Sequence, residues 1–285
     1  MRSMRITAAV AGVVLLVGGL SACNDDAGKA AGGSGGSSGG GGDAAGKQQS
    51  PLDAALASLK KASQQTTGKQ SAKVDGTTKS GGAEQKLKGA LDWSQGVRMT
   101  VDITQSGGVG GGKPMKALYT ADAMYMNLGA AGLGGKPWVK YDYDVMAKKM
   151  GPAGALLKDG LQNNNPGRSV DLLLASGKVK EVGKESVRGV QATHYSGTLG
   201  VSEMARMQSK DVSEADLQSL EKQLKTIGAK NETIDLWIGA DNLLVKKREQ
   251  MDSKSAPYDS TLFYSDYGTK VTVTEPPASE TTEYK

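Results

Sequence analysis

The chain has 285 residues, a formal charge of +5, one cysteine and one histidine. One cysteine permits no internal disulfide, and one histidine permits no histidine-rich metal site. Thirty-five basic against thirty acidic residues is too even a balance for a nucleic-acid binder, whose domains concentrate positive charge. No cofactor is expected.

Residues 1–22 read as a targeting signal. Arg2 and Arg5 precede an apolar run from Ala8 to Leu20. The run is short for a transmembrane helix, which needs about 20 apolar residues, and suits the core of a signal peptide. It ends in Leu20-Ser21-Ala22-Cys23, which resembles the lipobox of bacterial lipoproteins. There the cysteine sulfur receives a diacylglyceryl group, and cleavage leaves that cysteine as the new N-terminus. Cys23 is therefore the expected lipidation site, tethering the chain to the extracytoplasmic face of the cytoplasmic membrane. Two acyl chains on one residue anchor stably where one would be marginal. Arg2 and Arg5 are not adjacent, so general secretion is expected rather than twin-arginine export.

Residues 23–49 form the expected tether. Asn24 to Gln49 is mostly Gly, Ala and Ser, too poor in apolar surface to offset its chain entropy. As a flexible coil it spans roughly 25–30 Å. Residues 50–275 are expected to fold as one domain, and 276–285, opening on Pro276-Pro277, as a disordered tail.

The first element is a helix. Ser50 is its N-cap, Pro51 fits the first position, and Leu52, Leu56 and Leu59 share a face. Gln85–Trp93 reads as a strand. Val97, Met99, Val101 and Ile103 then alternate with polar residues, as in a half-buried antiparallel strand. Met115–Thr120, Ala123–Leu128 and Lys136–Tyr143 are further strands. The middle turns helical at Asp144–Met150, Pro152–Asp159 and Ser169–Ala175, with a loop at Asn163–Gly167. Val179–Ser186 and Gln191–Val201 form a hairpin. A helix at Ser213–Ile227 carries Leu217, Leu220 and Leu224, and Thr233–Ile238, Leu243–Met251 and Leu262–Tyr267 complete the strands. Strands, then helices, then strands predict an α+β fold: a large antiparallel sheet with helices covering one face.

Motifs for catalysis are weak. Gly107 to Lys113 has the spacing of a phosphate loop, but Pro114 stands where Ser or Thr should hold magnesium, and the loop joins two strands. His194 lies mid-strand and no G-x-S-x-G elbow accompanies it, so it reads as an ordinary sheet residue. Asn231-Glu232-Thr233 matches a glycosylation sequon of the kind that arises by chance. Eleven methionines stand against one phenylalanine. Core filling explains them most simply; a surface that adapts to varied apolar partners is the alternative.

Several phrases resemble the LppX/LprG-type family of actinobacterial surface lipoproteins, whose fold is similar to the LolA/LolB lipoprotein carriers. They are the lipobox at Leu20–Cys23, Lys136-Pro137-Trp138-Val139-Lys140-Tyr141, Val187-Arg188-Gly189-Val190-Gln191-Ala192-Thr193-His194-Tyr195, Leu236-Trp237-Ile238-Gly239-Ala240-Asp241-Asn242-Leu243-Leu244, and Tyr264-Ser265-Asp266-Tyr267-Gly268. The resemblance implies a strongly curved half-barrel sheet with helices over its concave face. It also implies an apolar cavity that binds acyl chains of a lipid or glycolipid, without catalysis. Candidate cavity residues are Val97, Met99, Val101, Met124, Met126, Leu156, Leu172, Leu173, Ile234 and Leu236. A carrier of this kind should hold an open apolar cavity of at least several hundred Å3. A membrane-tethered sensory or protein-interaction module on the same fold should show a collapsed one. An exported hydrolase should show a buried, pKa-perturbed carboxylate or Ser cluster.

Overall fold

A computed structural model of the chain describes residues 50–80, 82–106, 112–129, 132–150, 152–200, 203, 206–207, 214–226, 228–229, 231–251, 253 and 257–284. Within these ranges the side chains of residues 133, 152–153, 155–157, 216, 220 and 223–224 are not described. The lipobox with Cys23, the tether, Gly107–Gly111 and the ends of the helix expected at Ser213–Ile227 lie outside the described residues.

Helix α1 (Pro51–Gly68) starts as expected, with Ser50 Oγ accepting the Asp53 N–H at 3.1 Å. Its buried face is Ala55, Leu59, Ala62 and Thr66, turned from the expected Leu52–Leu56–Leu59 stripe; Leu52 is 42% exposed. The reason is the neighbour. α1 packs on α4 (Pro166–Ser176), and a Cβ at Gly167 of α4 would lie 2.5 Å from Thr67 Oγ1. So close an approach favours alanines over leucines on the buried face.

The strands form one sheet of twelve, in the order β12-β6-β5-β4-β3-β2-β1-β11-β10-β9-β8-β7. In chain order they are β1 Ser71–Ser80, β2 Ala83–Asp92, β3 Arg98–Ser106, β4 Met115–Tyr119, β5 Ala123–Asn127, β6 Trp138–Asp142, β7 Val179–Val187, β8 Val190–Gly200, β9 Asn231–Gly239, β10 Leu244–Met251, β11 Tyr258–Ser265 and β12 Thr281–Glu283. Every pairing is antiparallel except β12 with β6. The predicted α+β architecture, a large antiparallel sheet with helices on one face, is the observed one. Two meanders, β1–β6 and β7–β11, join where β1 pairs with β11.

Two strands lacked a sequence signal. β1 presents Ala72, Val74, Gly76 and Thr78 inward, too small and polar to show alternation. β12 lies in the expected disordered tail. Just before that tail, Val271 and Val273 pack with Leu118, Ala123, Tyr125 and Trp138 on the sheet's outer face. Lys136 Nζ donates to the carbonyls of Ala278 and Thr281, each at 3.0 Å, and the Tyr284 ring meets that of Tyr141 at 5.0 Å.

The inner face carries one continuous core from Val139 on β6 to Val179 on β7. Above it lie α1, α2 (Tyr143–Met150), α3 (Pro152–Gln162), α4 and α5 (Glu214–Thr226). The expected loop at 163–167 is in part the start of α4: Asn165 Oδ1 accepts the Gly167 N–H at 2.7 Å, and Pro166 opens the helix. α4 sits directly on the sheet, because a Cβ at Gly197 of β8 would lie 2.4 Å from Leu173 Cδ1.

Candidate functional site

Strand register decides which side chains share the inner face. Met99, Val101, Met124, Met126, Ile234 and Leu236 all point inward and are buried, as are Val97 beside β3 and Leu172 and Leu173 on α4. Met99 and Leu172 line a cavity beneath α3 and α4, and Val97 and Leu172 line a hollow beside it. Val101, Met124, Met126, Leu173, Ile234 and Leu236 line neither and belong to the closed core. Neighbours fill the space a cavity would need: Val101 lies over Gly89, whose Cβ would meet Val101 Cγ1 at 2.7 Å, and Leu173 occupies the gap over Gly197, opposite Ile234. The Leu156 side chain lies outside the described residues. Most of the methionines are core filling, since Met99, Met115, Met124, Met126, Met146 and Met251 are buried.

The cavity encloses about 160 Å3. One side is apolar: Leu87, Leu91, Met99, Leu161, Leu172 and Leu262. The other is not. Gln85, Thr78, Ser260 and Glu249 are register partners on β2, β1, β11 and β10, so four adjacent strands place a polar residue in one row across the floor. Lys247, the next inward position on β10, also lines the cavity, as do Tyr258 and, from α4 and the loop before it, Ser169, Asn164 and Arg168.

A hydrogen-bonded triangle joins roof to floor. Ser169 Oγ donates to Glu249 Oε1 at 2.7 Å, and Lys247 Nζ donates to Glu249 Oε1 and Ser169 Oγ, each at 3.1 Å. Thr78 Oγ1 and Ser260 Oγ meet at 3.0 Å. Lys247 is 7% and Ser260 3% exposed. Burial alone would raise the Glu249 carboxyl, but Lys247, with help from Ser169 and Arg168, outweighs it and holds Glu249 below the ordinary carboxylate range. Glu232, the inward residue on β9 opposite Met251, differs. It makes no hydrogen bond or ion pair among the described residues, and burial together with the charge of Glu249 pushes its carboxyl up to about 8. A buried carboxylate pair is the feature expected of a hydrolase, yet here Lys247 and Ser169 hold one member and the other keeps its proton.

Sequence reading missed this polar row. Its four members lie on separate strands, and only the register brings them together. Within β10, Lys247 and Glu249 sit in a run charged on both faces, so nothing marks them as inward.

The adjoining hollow is more open, about 580 Å3, and shares Asn165, Arg168 and Leu172 with the cavity. The start of α4 is therefore the partition between them. Asn163 Nδ2 donates to Asp159 Oδ1 at 2.7 Å, and Arg168 pairs with the same carboxylate.

His194 lies on the opposite, outer face. Its ring stacks on Trp237 at 4.2 Å and its Nε2 meets Asp235 Oδ1 at 2.8 Å, the bonded sheet residue expected. Trp237 Nε1 donates to Glu185, Lys246 Nζ lies 3.5 Å over the Trp237 ring, and Arg188 lies 3.6 Å over Phe263 while pairing with Asp75. Among the described residues no three His, Cys, Asp or Glu side chains come together as a metal site. No described helix is long and apolar enough to cross a membrane.

An open antiparallel sheet, helices on one face and an amphipathic cavity between them define the class of protein. The sequence places it further. It is 42% identical over 242 residues to an uncharacterised 31.2 kDa protein of Streptomyces griseus, covering 81% of this chain and 79% of that one. It is 34% identical over 239 residues to the Streptomyces coelicolor protein named "Putative lipoprotein SCO4650", covering 80% and 74%. The chain belongs to the family of these two Streptomyces proteins. No family model matches it. Among solved structures, the Mycobacterium tuberculosis lipoprotein LppX is similar, with 16% identity, coverage of 78% of this chain and 98% of that one, and a TM-score of 0.48. It is of the actinobacterial lipoprotein type that the sequence phrases resemble.

Proposed function

We propose that the protein is a lipoprotein, anchored through acylated Cys23 to the extracytoplasmic face of the cytoplasmic membrane. In this reading it binds an acyl chain of a lipid or glycolipid beneath α3 and α4, for carriage or presentation outside that membrane. The cavity between the helices and the inner sheet face carries the reading; the lipobox and the name of the S. coelicolor relative support the anchor. The reading is of binding, not catalysis. Each methylene that leaves water for the Leu87–Leu91–Met99 wall gains about 0.8 kcal/mol.

The volume sets a condition. A cavity of about 160 Å3 is near the size that takes a single benzene ring, so it holds only part of a long chain. The adjoining hollow, at about 580 Å3, is within the usual range for ligand sites. A long chain would use both, displacing the partition at Asn165 and Arg168. The smallness of the cavity beneath α3 and α4 favours a second reading, a tethered protein-interaction module without lipid.

Native mass spectrometry separates the two. The full chain with Cys23→Ala, secreted by a Streptomyces host and collected without detergent, should carry lipid that leaves on denaturation. A mass equal to protein alone, unchanged after incubation with a total lipid extract of that host, would favour the interaction module.

A further inference from the structure

The polar row is costly. Taking a lysine and a glutamate out of water costs several kcal/mol per ion, and well-packed apolar residues in their place are often neutral or stabilising. Lys247 and Glu249 are thus poorly explained as devices for stability. Their arrangement is also incomplete. Glu249 Oε1 accepts both bonds of the triangle, while Oε2 accepts none among the described residues. Lys247 Nζ has three N–H donors and uses two among the described residues. Both groups line the cavity, beside Thr78, Gln85, Ser260 and Tyr258.

Each charge on this wall has an opposite charge paired to it: Lys247 with Glu249 on the wall itself, and Arg168 with Asp159 beside it. What faces the cavity is a set of hydroxyls, an amide and single free positions on a neutralised ion pair. Such a wall offers both donors and acceptors and no net field. It suits neither a phosphate nor a carboxylate head, which would need unbalanced positive charge. It suits a compact, uncharged group rich in hydroxyls, and the volume of about 160 Å3 fits a group of that size.

We infer that the row Gln85–Thr78–Ser260–Glu249, with Lys247, is a head-group subsite: the ligand is a neutral amphiphile whose polyol end, a glycerol or a sugar, is buried against the sheet floor. This rests on the lipid-binding reading above and orients the ligand. The polar end lies deep, and the chain leaves along Leu91, Met99 and Leu172.

Three probes of equal chain length test it: 1-monopalmitoylglycerol, hexadecyl glucoside and palmitate, titrated below their aggregation concentrations into the full chain carrying Cys23→Ala. At least one polyol probe should bind about tenfold or more tightly than palmitate, the equivalent of one or two net hydrogen bonds, and whichever binds identifies the head as glycerol or sugar. The double variant Thr78→Val/Ser260→Ala removes both partners of one hydrogen bond, a change that is nearly neutral for folding. It should weaken the polyol probes more than palmitate and bring the preference to about threefold or less; Glu249→Gln should act in the same direction. Equal binding of all three probes, or a preference that survives both variants, overturns this inference and leaves lipid binding standing. Failure of every probe to bind overturns both.

Discussion

The inner face of the sheet has two halves that solve different problems. Under β3 to β6, Val101, Met115, Tyr119, Met124 and Val139 pack into the closed core, and none of them lines the cavity or the hollow beside it. Across β2, β1, β11 and β10 the same face carries a polar row and a cavity. Both halves are built from antiparallel strands and both turn buried side chains toward the helices. What separates them is residue size and polarity along a register row: one row runs Leu91–Met99–Tyr119–Met124, the other Gln85–Thr78–Ser260–Glu249. The filled half supplies packing energy; the hollow half uses some of it to keep charge out of water.

Mutations should break this comparison in order of size. The largest effect falls on the hollow half. Lys247→Met leaves Glu249 buried without its ion-pair partner and should lower stability by about 3–5 kcal/mol, whereas Lys247→Met with Glu249→Met should be close to wild type or more stable. Urea denaturation of the two variants checks both. Next is the filled half, where Met124→Ala opens a cavity with no polar group to draw water in. A loss of about 2–5 kcal/mol is expected, again by denaturation.

A third test uses pH. The folded protein holds a proton on Glu232 up to about pH 8, while the unfolded chain releases it near the ordinary value of 4.5. Between these values the folded state binds more protons, so the Glu232 contribution is full below about 4.5 and is lost as pH rises toward 8. Glu249 shifts the other way, and its contribution is lost as pH falls below the ordinary carboxylate range. Stability measured from about pH 5 to 8 should therefore decline with pH, and Glu232→Gln should flatten the decline. The smallest effect lies outside both halves: Ser50→Ala removes the α1 cap and should cost about 1 kcal/mol, read as a shift in melting temperature.

Legibility in the sequence followed the same division. β3 and β9 could be read because Val97 to Ile103 and Ile234 to Ile238 alternate large apolar residues with polar ones. Alternation separates the two faces of each strand but does not say which of them turns inward; register and the covering helices decide that. Nor does it say whether a buried side chain's neighbours leave room. β1 escaped because the cavity requires small and polar side chains there, which erases the periodic signal. The polar row escaped because Gln85 and Glu249 are far apart in the chain. The helix cap at Ser50 is local chemistry and was read correctly; the α1 stripe depends on its contact with Gly167 of α4 and was not.

The junction of the two meanders has a consequence for the order of events in folding. β1 ends at Ser80 and its partner β11 begins at Tyr258, so the central pairing closes a very long loop, the kind of contact that slows folding. The polar row straddles that junction: Gln85 and Thr78 come from one meander, Ser260 and Glu249 from the other. A chain folding from its N-terminal side can form β1 to β6 early, but its cavity lacks half of its floor until residue 260 has arrived and paired. Completion of the cavity floor and closure of the sheet's central pairing are then one step, so a half-made chain has no site in which to hold a ligand.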